Sequence, residues 1–180
     1  MPENKSQLVN FAMNGGLLVG GFWVIKYFFV IAATRYPFLG YINTLLSIGT
    51  PLLLFFFLVS YRNFVAGREK IGFWHGIQFS VMLFFFASLL EAIIVIVHIV
   101  WIDPAYLSRT YEHTLAMIES MSADQNMIGK LKQQPVPTPF SYTVGMIIGN
   151  LLIGFILSLF LVPLANRFTL KNNDRQSGEY

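Results

Sequence analysis

Apolar residues in this chain do not alternate with polar ones. They run in four long blocks, at about residues 8–34, 41–61, 71–101 and 140–166. A bilayer core about 30 Å thick takes roughly 20 apolar residues in helical form, and each block meets that length. A helix satisfies its own backbone hydrogen bonds, as hydrocarbon requires, so such runs predict transmembrane helices. The third run is long enough to tilt or to project past the headgroups. Pro37 and Gly40 mark Arg35 to Gly40 as a tight turn, and Arg62 to Lys70 reads as a short basic one.

The remaining connection, residues 103–139, is the one sizeable polar segment and predicts helices of its own. Asp103-Pro104 reads as an N-cap and first helical position. Leu107, Tyr111, Leu115, Ile118 and Met121 recur at helical spacing, opposite Arg109, Glu112 and Glu119. Ser122-Ala123-Asp124-Gln125 matches a capping box that opens a second short helix toward Lys132. Pro135, Pro137 and Pro139 suit an extended return to the membrane. The expected fold is an all-α membrane protein. It is a single domain, a bundle of four transmembrane helices with a helical extramembrane loop between helices 3 and 4 and a polar tail over 168–180. The loop reads first as a cap on the bundle or the headgroups, and otherwise as a binding surface.

Composition and charge sharpen this picture. The chain is 55% apolar and 12% charged, where a soluble domain carries roughly 25% charged residues. The first apolar run is longer than the roughly 7–15 residues of a signal peptide, so an uncleaved helix is expected. Lys5, Arg62, Arg68, Lys70, Arg167, Lys171 and Arg175 crowd one side of the membrane. The other side has Arg35 near a helix end, with Arg109, Lys130 and Lys132 inside the long loop. The positive-inside rule then puts both termini of a multi-pass protein in the cytoplasm, in the cytoplasmic membrane of a bacterium. This distribution is an orientation signal and gives no reason to expect a nucleic-acid partner.

Candidate chemistry is sparse. The chain has no cysteine, and His75, His98 and His113 lie too far apart in sequence to share a helical face as metal ligands. No phosphate loop, HExxH or nucleophile elbow occurs, so no enzyme, cofactor or metal is expected. What stands out is polarity at membrane depth, where an ionisable group costs at least about 2.5–3.5 kcal/mol. Lys26 and Glu91 fall at similar depth when their helices are centred, and Ser47 and Asn150 fall in the same half of the bilayer. They form a candidate intramembrane cluster, Lys26, Ser47, Glu91 and Asn150, with Lys26 and Glu91 as an ion pair. His98 lies two turns beyond Glu91 on the same face. The plainer readings are a Lys26 that snorkels to the interface and a Glu91 buried neutral. Pro51 is the candidate helix kink, freeing the carbonyl of Ser47. Gly16 and Gly20, like Gly145 and Gly149, have the spacing of close helix contacts, within the chain or with a second copy. Trp74, His75 and Trp101 fit interfacial anchoring.

The order and spacing of several features resemble a known family. They are Tyr61-Arg62, Gly67, Ile71-Gly72-Phe73, Gly76, Asp103-Pro104, Met117 and Met121, followed by a glycine-rich last helix. Over nearly its whole length the chain is similar to domain of unknown function family 4199, uncharacterised bacterial membrane proteins. That resemblance implies four transmembrane helices and no established activity, so it transfers no site residue. The favoured role is a non-enzymatic scaffold or accessory subunit. Its partners would be the lipid bilayer and a protein or second copy, met through the 103–139 loop or the small-residue helix faces. The alternative is a small transporter or channel subunit that uses the Lys26–Glu91 cluster.

Overall fold

The structure is a computed structural model that describes residues 5–65, 70–121 and 125–168. The capping box at 122–124, Gly67 and Arg68, and the tail from residue 169 lie outside the described residues. The helices are α1 (Lys5–Ala33), α2 (Leu39–Ser47), α3 (Gly49–Val65), α4 (Phe73–Val97), α5 (Tyr106–Ser120), α6 (Gln125–Lys132) and α7 (Pro139–Arg167), and α4 runs on through a π-helical turn at His98–Ile102. No strand occurs among the described residues. Four spans are long and apolar enough to cross a membrane: Ser6–Ala33, Leu39–Phe64, Phe73–Ile102 and Pro139–Arg167. Large apolar side chains such as Leu18, Ile25, Leu52, Phe56 and Phe160 stand exposed along them. A water-facing surface would not tolerate apolar area on this scale. The chain is an integral membrane protein, an all-α four-helix bundle whose outer surface meets lipid.

Several elements begin or end elsewhere than the residue pattern suggests. Pro37 and Phe38 form the first turn of α2, where proline is tolerated, so Leu39 and Gly40 are already helical. The helical run that begins at α2 breaks at Ile48. Pro51 has no N–H for the Ser47 carbonyl, and Ile48 instead bonds back to the Leu45 carbonyl at 3.2 Å. As a result α2 packs along α1, whereas α3 packs chiefly on α7. Ile71 is not helical because its N–H and carbonyl are both taken by the Asn166 side chain, at 3.1 and 3.0 Å. Asp103 is not an N-cap: its N–H closes the π turn on the His98 carbonyl, and its carboxylate pairs with Arg109. Pro139 is the first residue of α7, not part of an extended return. Thr138 caps it by accepting from the Ser141 N–H at 3.2 Å.

The central helix is α4, packed along α1 on one side and α7 on the other. Glycine allows the close approach. A Cβ at Gly20 would stand 2.9 Å from the Ala87 carbonyl oxygen, and one at Gly76 would stand 2.8 Å from Val162. The core above Gly76 is filled by Leu54, Leu58, Phe79, Leu83, Phe84 and Val162.

At the end of the bundle that carries Lys70 and Arg167, Tyr61 stacks on Phe79 with centroids 4.3 Å apart and hydrogen-bonds His75. Arg62, expected in a basic turn, is still helical and only 2% exposed. It donates to the Ala165 carbonyl and to Asn63 Oδ1, so a cation sits at the electronegative end of α7. At the opposite end α5 and α6 form a hairpin. Tyr111 donates to the Leu131 and Gln134 carbonyls, and Lys132 pairs with Glu119. Leu107 joins the hairpin to the bundle by packing with Tyr27, Val95 and Ile99.

Candidate functional site

The break at Ile48 sets the position of a cavity. Where α2 leaves the line of α3, the bundle does not close completely. A space of about 230 Å³ remains, lined from all four spans. Lys26 and Trp23 face it from α1, Ser47 from α2, Thr50 and Pro51 from α3, Phe84 and Glu91 from α4, and Asn150, Ile153 and Leu157 from α7. Lys26, Ser47, Glu91 and Asn150 therefore all border one space, as does Pro51. Each cluster residue lies within about eleven residues of the same end of its span, so at 1.5 Å per residue the cavity is roughly 10–17 Å deep.

The hydrogen bonds around it are unevenly distributed. Asn150 donates through Nδ2 to Glu91 Oε2 at 2.8 Å. Glu91 is only 8% exposed, and no bond to its other oxygen is found among the described residues. Trp23 Nε1 donates to Thr50 Oγ1 at 3.1 Å. Ser47 Oγ donates to the Asn43 carbonyl at 2.9 Å, which leaves its lone pairs for the cavity. Lys26 reaches over Trp23, with Nζ 5.9 Å from a ring centroid, within range of a cation–π contact.

The expected ion pair is not closed. Among the described residues the ion pairs are Arg109–Asp103 and Lys132–Glu119, both in the extramembrane segment. Lys26 and Glu91 instead share a cavity, the first held at Trp23 and the second at Asn150. Of the lining residues that the residue pattern did not single out, two carry hydrogen-bonding groups, Trp23 and Thr50. Trp23 lies one turn before Lys26 and so shares its helical face, whereas Thr50 lies three residues after Ser47 but across the break at Ile48. His98 does not join the cluster. It is fully buried, bonds Tyr27 Oη through Nδ1 at 2.9 Å, and packs on Tyr106. A larger groove of about 690 Å³ lies between the other ends of α1 and α4, lined by Leu8, Val9, Ile77, Val81 and Met82 together with Trp74, His75 and Gln78. Its walls are mostly apolar, with the polar groups of His75, Gln78 and Trp74 gathered on α4.

The family described as Protein of unknown function (DUF4199) matches residues 14–162, which covers most of the first and last spans, the whole of the two between them, and every cluster residue. The chain belongs to this family. No curated protein and no solved structure matches it. For this DUF4199 protein the chemical reading therefore rests on the cavity itself. A polar, two-signed space inside a lipid-facing bundle can hold several waters, an ion or a small solute. No group of three or more metal-ligating side chains occurs among the described residues.

Proposed function

We propose that this DUF4199 protein is a non-enzymatic membrane protein that binds a small polar solute inside the bilayer, as a small transporter or channel subunit. One observation carries the reading. Lys26 and Glu91 border the same cavity without closing on each other. A purely structural pair gains most by direct contact, because each uncompensated charge in hydrocarbon is costly. Keeping the two apart around an open space makes sense when that space is occupied in use. The setting is the bacterial cytoplasmic membrane, with the ends bearing Lys70 and Arg167 in the cytoplasm. The cavity then lies in the outer half of the membrane, below the α5–α6 hairpin.

The absence of cysteine offers a direct test. Ser47→Cys and Asn150→Cys place single thiols at the cavity, and Leu52→Cys places one on the lipid-facing side of α3, where Leu52 is 65% exposed. Intact membranes are treated with a membrane-impermeant thiol reagent, which reacts with thiolate and hence with a thiol in contact with water. Labelling of Ser47→Cys and Asn150→Cys, with Leu52→Cys inert, is the expected result. If all three are inert the cavity is sealed from water and the solute reading is wrong.

A second reading, an accessory or scaffold subunit, is favoured by the α5–α6 hairpin. It bonds mostly to itself and leaves Met117 and Met121 exposed, as adaptable partner surfaces often do. Deleting residues 104–138 in favour of a short linker would release a stoichiometric partner from gently solubilised membranes on this reading. It would leave solute binding intact on the first.

A further inference from the structure

We infer that the solute is a small zwitterion, carrying one carboxylate and one ammonium group; this rests on the cavity being a solute site. The cavity presents donors and acceptors from different elements. Lys26 brings an ammonium, and Thr50, whose oxygen already accepts from Trp23, has its hydroxyl proton to offer. Both suit a carboxylate. The cavity also offers three acceptors: Glu91 Oε1, the Asn150 carbonyl oxygen left free while Nδ2 serves Glu91, and the lone pairs of Ser47. An ammonium group has three N–H donors to match three acceptors.

Charge selects the same class. A simple cation would be drawn to Glu91 and repelled by Lys26, and a simple anion would meet the reverse. A neutral solute would leave both charges without a partner in hydrocarbon. A zwitterion neutralises both at once and adds no net charge to the membrane interior. Size sets the upper limit. At about 30 Å³ per liquid water, the cavity of about 230 Å³ holds several waters, or a solute of roughly half a dozen heavy atoms. That size suits the smallest amino acids.

Protection of an Ile153→Cys thiol, at a cavity-lining residue with no hydrogen bond to give the solute, tests this. Glycine, L-alanine and β-alanine are each added before the impermeant reagent, with ethylamine and propionate, which carry one charge each, as comparators. At least one zwitterion should slow labelling, with neither comparator doing so at equal concentration. Adding Lys26→Met or Glu91→Gln to Ile153→Cys should raise the half-protecting concentration roughly tenfold or more, since each removes a charged hydrogen bond to the solute. Lys26→Arg keeps the charge and should retain protection, which separates lost binding from lost folding. If Ile153→Cys labels freely and no zwitterion protects it, or if ethylamine or propionate protects equally well, the inference is wrong while the water-accessible site stands. Inert thiols at Ser47, Asn150 and Ile153 alike overturn the underlying solute reading instead.

Discussion

Two glycine pairs with the same spacing should respond oppositely to the same substitution. A Cβ added at Gly16 would fall 2.6 Å from Phe86 Cβ and 2.8 Å from the Leu83 carbonyl oxygen, and one at Gly20 would fall 2.9 Å from the Ala87 carbonyl oxygen and 3.0 Å from its Cα. Much of what they meet is backbone, which cannot rotate aside, so α1 must move away from α4. Gly145 and Gly149 have no heavy atom within 4 Å of the added carbon. Overpacking costs about 1–3 kcal/mol, and exchanging glycine for alanine within a helix returns up to about 1 kcal/mol per residue. One outward shift relieves both contacts on α1, so the two costs there do not add in full. Gly16→Ala/Gly20→Ala should then lose about 1–2 kcal/mol, and Gly145→Ala/Gly149→Ala should be neutral or gain about 1 kcal/mol. At roughly 2–4 °C per kcal/mol for a chain of this length, the melting temperatures should differ by about 2–12 °C. Fluorescence of the detergent-purified protein follows the transition, because Trp23 is buried against Phe84 with centroids 5.1 Å apart. Equal melting temperatures, or a less stable Gly145→Ala/Gly149→Ala protein, would refute the assignment of Gly16 and Gly20 to the α1–α4 contact. It would also point to Gly145 and Gly149 as a contact with a second copy.

Two further outcomes follow from the hydrogen bonds. Asn150→Leu strands Glu91 Oε2 and should cost about 0.6–1.7 kcal/mol, the range for interhelical bonds in membranes, and combining it with Glu91→Leu should recover most of the loss; a double variant no better than Asn150→Leu alone would show that the bond contributes nothing. Arg62→Met removes two charged hydrogen bonds near the end of α7 and should cost about 1.5–3 kcal/mol of thermal stability, with Arg62→Lys a poor rescue because lysine lacks the fork that reaches Ala165 and Asn63 together. A loss below about 0.5 kcal/mol for Arg62→Met would mean that its burial is incidental.

What could be read from the sequence was the coordinate along the membrane normal. Hydrocarbon imposes a length on each span, so four helices follow from four runs, and counting residues puts Lys26 and Glu91 at similar depth with Ser47 and Asn150 in the same half of the bilayer. Direction around each helix was less accessible, because it depends on which faces the neighbours cover. Lys26 and Glu91 share a depth, yet the girth of the bundle and the break at Ile48 leave a cavity between them. Arg62 looked like an orientation charge because only the folded chain brings the Ala165 carbonyl to it, from more than a hundred positions away. Asp103 looked like a cap because the pattern Asp-Pro is local, whereas the π turn that takes up its N–H follows from the packing of His98 on Tyr27 and Tyr106. The missed cap at Thr138 was local as well, and it was masked by a run of prolines that suggested extended chain.

Four of the residues that carry the family likeness lie away from the chemistry. Tyr61, Arg62, Ile71 and Gly76 gather at the end of the bundle near Lys70. There stacking, the Arg62 bonds, the Asn166 clamp on Ile71 and the close approach of Gly76 to Val162 tie α3, α4 and α7 together. At the other end α2 has left the line of α3, α4 finishes in a π turn, and the hairpin meets the bundle through a small cluster around Leu107. A bundle tied at one end and loosely packed at the other opens first where less packing is lost. The cavity lies on the loose side of the filled core, and every cluster residue is nearer that end. If the cavity is a solute site as proposed, access to Lys26 and Glu91 runs past Ser47 and the hairpin rather than past Arg62. On that reading, substitutions at the Arg62 end should change how stably the bundle stands, and substitutions around the cavity should change what it holds.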